Sequence, residues 1–162
     1  YGFLADATNK KAVEKVYKIK KRPKSKPLPV FVKDLKMAKE LAEIDEKQAK
    51  ILKKFWPGKY TFILKLKVHN VHKIYKIYGI DKKTIAIRIP KYKFLNNLLK
   101  KINRPLVQTS VNISGKSTLY KINDIIKAFK GSDVLIVSGG NIGKKSSKII
   151  SLTESTKKLL RK

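Results

Sequence analysis

Two short segments of the chain bring together the residue types that hold anions. The first reads KKRPKSKP from Lys20 to Pro27 and carries five cationic side chains between a predicted helix and a predicted strand. Its two prolines restrict the backbone, which lowers the entropic cost of closing the turn around an anion. We interpret it as an anion-binding turn. The alternative is a solvated basic loop, which is common in lysine-rich chains.

The second segment reads TSVNISG from Thr109 to Gly115 and directly follows a predicted strand. Hydroxyls, an amide and a glycine at the carboxyl end of a strand can donate several hydrogen bonds to a phosphate or a ribose, and open α/β sheets bind ligands at that edge. An ordinary polar turn is the alternative. A third cluster also follows a predicted strand and consists of Gly139, Gly140, Gly143, Ser146 and Ser147. For this cluster, a plain loop is at least as good an interpretation as a ligand-binding loop.

Several kinds of site are excluded or disfavoured. The chain has no cysteine, so it forms neither a disulfide nor a thiolate metal site. It contains neither a P-loop nor a GxGxxG fingerprint. His69 and His72 have no carboxylate beside them, so we expect no protein metal site. No apolar run is long enough to span a bilayer, and we expect a cytoplasmic protein without membrane contact.

The formal charge of the chain is +29, from 40 basic and 11 acidic residues. Such a charge favours polyanionic partners, although lysine enrichment is also what an A/T-rich genome encodes. Only four basic residues are arginine, namely Arg22, Arg88, Arg104 and Arg161. They are more informative, because a guanidinium offers a planar fork for carboxylate or phosphate that lysine lacks. We expect Arg104, in a loop before a proline, to have a structural role.

Hydrophobic periodicity predicts helices and strands in near alternation. Helices are predicted at 10–21, after Asp34, at 46–55, 92–102 and 121–129, and strands at 28–32, 61–67, 84–89, 106–110, 134–137 and 149–152. Residues 68–83 show the weakest pattern and are predicted to be a loop. The second and third helices follow each other without a strand, so a mixed sheet in a single α/β domain over residues 1–162 fits best.

Together, these segments resemble the YrdC-like family of threonylcarbamoyl-AMP synthases. The resemblance is carried, in order, by YGFLADATN at 1–9, KKRPKSKPL at 20–28, FWPG at 55–58, TIAIRIP at 84–90, SVNISG at 110–115, and SS followed by IISLT near the end. It extends over nearly the whole chain. It implies a twisted open mixed sheet flanked by helices, with a large positively charged cavity.

The resemblance also implies an enzyme, a nucleotidyltransferase that converts L-threonine, bicarbonate and ATP to threonylcarbamoyl-AMP and releases pyrophosphate. Mg²⁺ would accompany the ATP, and a separate transferase complex would pass the threonylcarbamoyl group to tRNA. The residues agree with this chemistry. A carboxylate, a bicarbonate and a triphosphate brought into one cavity require fixed cations and neutral donors but no strong protein nucleophile.

Particular residues receive roles from the resemblance. The ATP would be held by residues from several segments: Arg22, Lys26, Thr84, Ser110, Asn112, Thr118 and Arg161. Lys20 would add charge beside Arg22, and these two residues are the predicted catalytic pair. The carboxylate of L-threonine would pair with Arg88, with Gln108 and Ser147 completing the pocket. Three of the four arginines thus fall where the family binds anions.

The chain departs from the family pattern at several positions. A Pro-Thr-x-Thr-Val segment usually precedes the Tyr-Gly pair, so we expect the domain to be truncated at its N-terminal side, without the first strand and a threonine-binding Thr. Some archaeal-type members place a histidine where Phe31 stands. FWPG is followed by Lys59, Tyr60 and Thr61 instead of Pro-Leu-Thr, and Lys148 stands beside the predicted ligand Ser147.

Three alternatives stay open. A domain of the same fold in hydrogenase-maturation proteins makes carbamoyl-AMP, and those proteins carry zinc-finger-like cysteines beside it, which this chain lacks. A basic module that binds tRNA or double-stranded RNA would suit the charge, although the aromatic residues form no evident stacking platform. A homologue that keeps the fold without the activity is the third.

Overall fold

Within the described residues, seven strands form one mixed sheet. The computed structural model describes residues 1–67, 83–140, 146–153 and 158–161. For residues 158, 159 and 161 it describes the backbone alone. The elements are β1 (Gly2–Asp6), α1 (Lys10–Lys20), β2 (Val30–Phe31), α2 (Leu35–Leu41), α3 (Glu46–Phe55), β3 (Tyr60–Lys65), β4 (Thr84–Arg88), α4 (Lys93–Ile102), β5 (Leu106–Ser110), α5 (Ile122–Ala128), β6 (Lys148–Ser151) and β7 (Lys158–Arg161). The strands lie in the order β1-β5-β2-β4-β3-β6-β7 across the sheet. The predicted mixed α/β architecture is confirmed.

Local sequence signals explain where the first three helices begin. The side chains of Asn9, Asp34 and Asp45 each accept a hydrogen bond from a backbone N–H in the first turn of α1, α2 and α3. Such caps satisfy donors that a helix start leaves without partners. Asp45 and Gln48 form a reciprocal capping box. The predicted positions of these helices are therefore confirmed to within about one residue.

The alternation of side chains along the strands gives the sheet two different faces. One face carries Val30, Ile87 and Val107 and packs against α1, α2 and α3 in the main hydrophobic core. The other carries Phe31 and Leu106, which pack against the fully buried Leu99 of α4. We call this second face the α4 face. The same face also carries Arg88 of β4, opposite Phe31.

Strand β2 is shorter than the sequence predicts. A strand is predicted over 28–32, but only Val30 and Phe31 form ladder pairs, parallel to β4 and antiparallel to β5. Pro27 and Pro29 both precede the paired residues, and neither has an N–H to donate to a neighbouring strand. The ends of the predicted strand, Leu28 and Val32, are nevertheless buried in the core.

One predicted strand is wrong. Residues 134–137 form no strand, and the side chain of Leu135 is 92% exposed. Their apolar pattern is typical of a strand, but a strand needs a neighbouring ladder, and no described strand pairs with them. Strands β1 and β7 were not predicted.

The predicted loop at 68–83 lies, apart from Lys83, outside the described residues. Among the described helices, none is long and apolar enough to cross a membrane.

Replacing Leu99 by Ala should destabilise the fold by about 2–5 kcal/mol, because the fully buried side chain fills the contact between α4 and Phe31. Urea unfolding followed by circular dichroism measures this loss. The matched control is Ile102→Ala on the same helix, where the side chain is 36% exposed and the loss should be much smaller. Equal losses in both variants would contradict the packing described for the α4 face.

Candidate active site

Strands β4 and β5 place four of the predicted site residues on the α4 face. Phe31 lies opposite Arg88 of β4 and opposite Leu106 of β5. Because every second residue of a strand points to the same face, that face also carries Thr84, Gln108 and Ser110, and these three and Arg88 are all half-buried.

These residues occupy two ends of the face. Thr84 and Arg88 are the first and last residues of β4, which separates them by about 13 Å along the strand. Strand β5 runs antiparallel to β2, and β2 runs parallel to β4, so Ser110 lies towards the end that holds Thr84. We call these the Thr84 end and the Arg88 end. Gln108 lies between them along β5.

The predicted anion-binding turn, residues 20–27, leads into β2 at the Thr84 end. Arg22 donates from Nε to the carbonyl of Lys26 at 3.1 Å and from Nη2 to the carbonyl of Pro27 at 2.9 Å. The Tyr17 hydroxyl donates to the same Lys26 carbonyl at 2.9 Å. Burial raises the pKa of Tyr17 to about 12, so the hydroxyl keeps the proton it donates. The turn is thus folded around the Arg22 guanidinium.

Lys20 joins this turn to the loop that follows β5. Its side chain is only 2% exposed, and its ammonium donates to the carbonyls of Ser110 at 2.7 Å and Asn112 at 3.0 Å and to Oδ1 of Asn112 at 2.5 Å. Burial, together with the nearby positive charge of Arg22, lowers the pKa of Lys20 to about 8. The three donors of the ammonium therefore match three protein acceptors, and the residue fixes the loop.

The loop after β5 is closed by its own polar groups. Ser110 donates from its hydroxyl to Oδ1 of Asn112 at 2.7 Å, and Nδ2 of Asn112 donates to the carbonyls of Ile113 at 3.0 Å and Lys116 at 2.6 Å. The backbone N–H of Ser114 donates to the carbonyl of Lys20 at 2.8 Å. The predicted ligands Ser110 and Asn112 are therefore neighbours in one ordered network.

A turn between α3 and β3 holds the arginine of the Arg88 end. Nε of Arg88 donates to the carbonyl of Gly58 at 2.8 Å, and its guanidinium carbon lies 5.5 Å from the centroid of the Phe31 ring, within cation–π range. Ser147, which is 8% exposed, shares a hydrogen bond of 3.1 Å with the hydroxyl of Thr61. Thr61 lies on β3, the strand that pairs with β4.

The structure thus places four of the predicted site residues on the α4 face, namely Thr84, Arg88, Gln108 and Ser110, and Lys20 and Asn112 form the hydrogen-bond network around Ser110. Thr118 is half-buried in the segment that follows the closed loop. The backbone of Arg161 pairs with Ile149 at the β6–β7 edge, and its side chain lies outside the described residues. The ligand roles of all these residues stay predictions.

Two residues of the site were not predicted. Gly58 belongs to the FWPG motif, and Thr61 stands three residues after it. The motif contributes to the family resemblance, but nothing in its sequence predicts that Gly58 lies beside Arg88 of β4. Arg104 agrees with its expected structural role, since it pairs with the carboxylate of Asp6 at 2.9 Å.

No group of three or more His, Cys, Asp or Glu side chains that could hold a metal ion occurs among the described residues. His69 and His72 lie outside them.

The pKa of Lys20 predicts how stability depends on pH. The folded pKa of about 8 lies below the ordinary value of 10.5, so between these values the unfolded chain binds more protons and the free energy of unfolding rises with pH. Relative to a Lys20→Met variant, wild-type stability should therefore rise across this window, by up to about 1.4 kcal/mol per pH unit. Urea unfolding of both proteins from pH 7 to pH 10 measures the difference.

The control for this experiment is Lys18→Met, an exposed position on the same helix. The stability difference between this variant and the wild type should not change with pH. A Lys20→Met difference that is equally flat would show that the ammonium is not buried as described.

Comparison with known proteins identifies the family of the chain. The Sua5/YciO/YrdC family model, described as telomere recombination, matches residues 1–162. A threonylcarbamoyl-AMP synthase from Pyrococcus abyssi is 34% identical over 164 residues, which cover 99% of this chain and 47% of that protein. The crystal structure of Pyrococcus abyssi Sua5 complexed with L-threonine superposes with a TM-score of 0.87 at 31% identity, covering 99% of this chain and 47% of that one.

A structure of full-length HypF in its phosphate- and nucleotide-bound form superposes with a TM-score of 0.83 at 21% identity, over 99% of this chain and 25% of that one. At this identity the likeness shows a common fold alone. The chain spans less than half the length of the threonylcarbamoyl-AMP synthases from Pyrococcus abyssi and Bacillus subtilis that it matches. The match to the family model over residues 1–162 nevertheless shows that the chain belongs to the Sua5/YciO/YrdC family.

Proposed function

We propose that this chain is the domain of an L-threonylcarbamoyladenylate synthase that carries the reaction of L-threonine, bicarbonate and ATP. The products are threonylcarbamoyl-AMP, pyrophosphate and water. The observation that carries the proposal is that the half-buried Thr84, Gln108 and Ser110 share one face of the sheet with Arg88, while Lys20 is hydrogen-bonded to Ser110 at the Thr84 end. The name of the Pyrococcus abyssi relative and the threonine-bound Sua5 structure support the same reading.

The Thr84 end suits the triphosphate. Arg22 and Lys26 supply positive charge from a turn that is already folded by its own hydrogen bonds. Lys20 acts there by fixing the loop that presents Ser110 and Asn112. Charge that builds up on the leaving pyrophosphate would thus meet donors and cations that need no reorganisation, which is the main source of stabilisation in reactions of this type.

The Arg88 end suits the amino acid. A guanidinium recognises a carboxylate through two parallel hydrogen bonds, and Arg88 is oriented by Gly58 and Phe31. Ser147, oriented by Thr61, and Gln108 supply neutral polar groups near it. Holding the carboxylate at this end directs the amine of L-threonine along the face towards the phosphates.

The reaction balances without a covalent enzyme intermediate. The amine nitrogen forms a bond to the bicarbonate carbon and water leaves, which gives a carbamate. A carbamate oxygen then attacks the α-phosphorus of ATP, and the bond to pyrophosphate breaks. AMP is transferred, so the activity is that of a nucleotidyltransferase. The residues of the chain bind, orient and stabilise charge, and Mg²⁺ would arrive bound to the ATP phosphates.

The product is an activated acyl adenylate, which needs an acceptor. We propose that a separate transferase complex passes its threonylcarbamoyl group to an adenosine of tRNA in the cytoplasm.

Pyrophosphate release by the full-length protein with ATP, Mg²⁺ and bicarbonate tests the proposal. Release that depends on L-threonine is the expected result. Release on addition of carbamoyl phosphate without L-threonine would assign the carbamoyl-adenylate reaction instead. RNA binding that weakens steeply with salt, without any pyrophosphate release, would assign a binding module and overturn the proposed function.

Substitution of single arginines separates the two ends of the site. Arg22→Ala should raise KM for ATP and Arg88→Ala should raise KM for L-threonine, each by about ten- to a hundredfold, because each loses charge-assisted hydrogen bonds of about 1.5–3 kcal/mol. Steady-state kinetics with one substrate varied at a time measures both. Arg104→Ala, which removes the ion pair with Asp6, is the control and should change neither KM by more than about twofold. Equal effects of all three substitutions would contradict the assignment.

A further inference from the structure

Gly58 lies where two parts of the molecule meet, and its backbone contacts both. Its N–H donates to the carbonyl of Ile89 at 2.9 Å, and its carbonyl accepts the Nε hydrogen of Arg88 at 2.8 Å. A single glycine therefore pairs with two consecutive residues at the end of β4. The hydrogen bond from Arg88 is the one that concerns the site, because its donor is the side chain expected to bind the substrate carboxylate.

The turn approaches α3 too closely for any other residue. A Cβ atom added to Gly58 would lie 2.2 Å from the carbonyl oxygen of Phe55, far inside van der Waals contact and against backbone. The turn is also tied down beside this point, because Trp56 donates from its indole to the carbonyl of Tyr60 at 2.9 Å and from its backbone to the carbonyl of Leu52 at 2.8 Å. A side chain at position 58 would have to push the turn away from α3.

We propose that Gly58 is a positioning residue that orients the Arg88 guanidinium and thereby determines the affinity of the site for the carboxylate of an α-amino acid. The inference rests on the proposed function in one respect, namely that Arg88 binds the L-threonine carboxylate. Because Nε is bonded to Gly58, a side-on pair that uses Nε would require Arg88 to give up this bond. Displacement of the turn by even about 1 Å misplaces the guanidinium, and errors of that size can cost up to about a hundredfold.

Gly58→Ala in the full-length protein tests the proposal. We expect KM and Kd for L-threonine to rise by about ten- to a hundredfold while KM for ATP changes by less than about twofold, since the Thr84 end lies about 13 Å away along β4. Gly131→Ala is the matched control. It replaces another turn glycine, at φ +77, where alanine strains the backbone although there is open space around the Cβ position, and it should leave both KM values unchanged. Equal losses for L-threonine and ATP after Gly58→Ala would overturn the proposal.

A double-mutant cycle shows whether Gly58 acts through Arg88. Arg88→Lys keeps the charge but has no Nε–H to donate to Gly58. In that background, Gly58→Ala should change the Kd for L-threonine by less than about twofold. If the full effect of Gly58→Ala persists there, Gly58 does not act by orienting Arg88 and the inference fails.

A measurement on the unmutated protein covers the case in which Gly58→Ala does not fold. The Nε–H signal of Arg88, assigned in ¹⁵N spectra by its loss in Arg88→Lys, should exchange slowly with solvent and stay hydrogen-bonded when L-threonine is added. Rapid exchange would overturn the inference. If the protein shows no threonine-dependent pyrophosphate release, the proposed function fails, while this signal still reports whether Gly58 holds Arg88.

Discussion

The two-residue pairing of β2 is the constraint on which the geometry of the site depends. Val30 and Phe31 pair with β4 on one side and β5 on the other, and within the described strands this pairing joins the two parts of the sheet. A slip of one residue would turn every side chain of a strand to the opposite face. The buried contacts of Leu99 with Phe31 and Leu106 oppose such a slip. Helix α4 therefore supports the site without contributing a predicted ligand.

The cations of the site are held in a common way. Lys20 donates to carbonyl and amide oxygens, Arg22 to two backbone carbonyls and Arg88 to the carbonyl of Gly58. The hydrogen bonds described for Arg22 are to neutral acceptors, which orient its guanidinium without cancelling its charge. Arg104, by contrast, pairs with the carboxylate of Asp6. This difference separates Arg22, which is assigned to anion binding, from the arginine with a structural role.

Most of the fold could be predicted from local signals, since capping residues and apolar spacing act within a few positions. Helix α2 begins after Asp34 and α3 begins at Glu46 as predicted, and β5 has the predicted bounds. The prediction at 134–137 failed because an apolar run becomes a strand only when a neighbour pairs with it. The candidate site was predicted as a set of residue types, and the sheet brought Thr84, Arg88, Gln108 and Ser110 of that set to one face.

The sequence alone determined which residues carry charge and hydrogen-bonding groups, and the spacing of Thr84 and Arg88 on one strand already implied that they share a face. The tertiary structure decided which strands are neighbours. It also decided that the buried Lys20 donates to Ser110 and Asn112, 90 and 92 positions further along the chain, and that Gly58 accepts a hydrogen bond from Arg88, 30 positions later. These contacts join residues that are far apart in sequence. No local pattern specifies them, because they exist only once the order and register of the sheet are set.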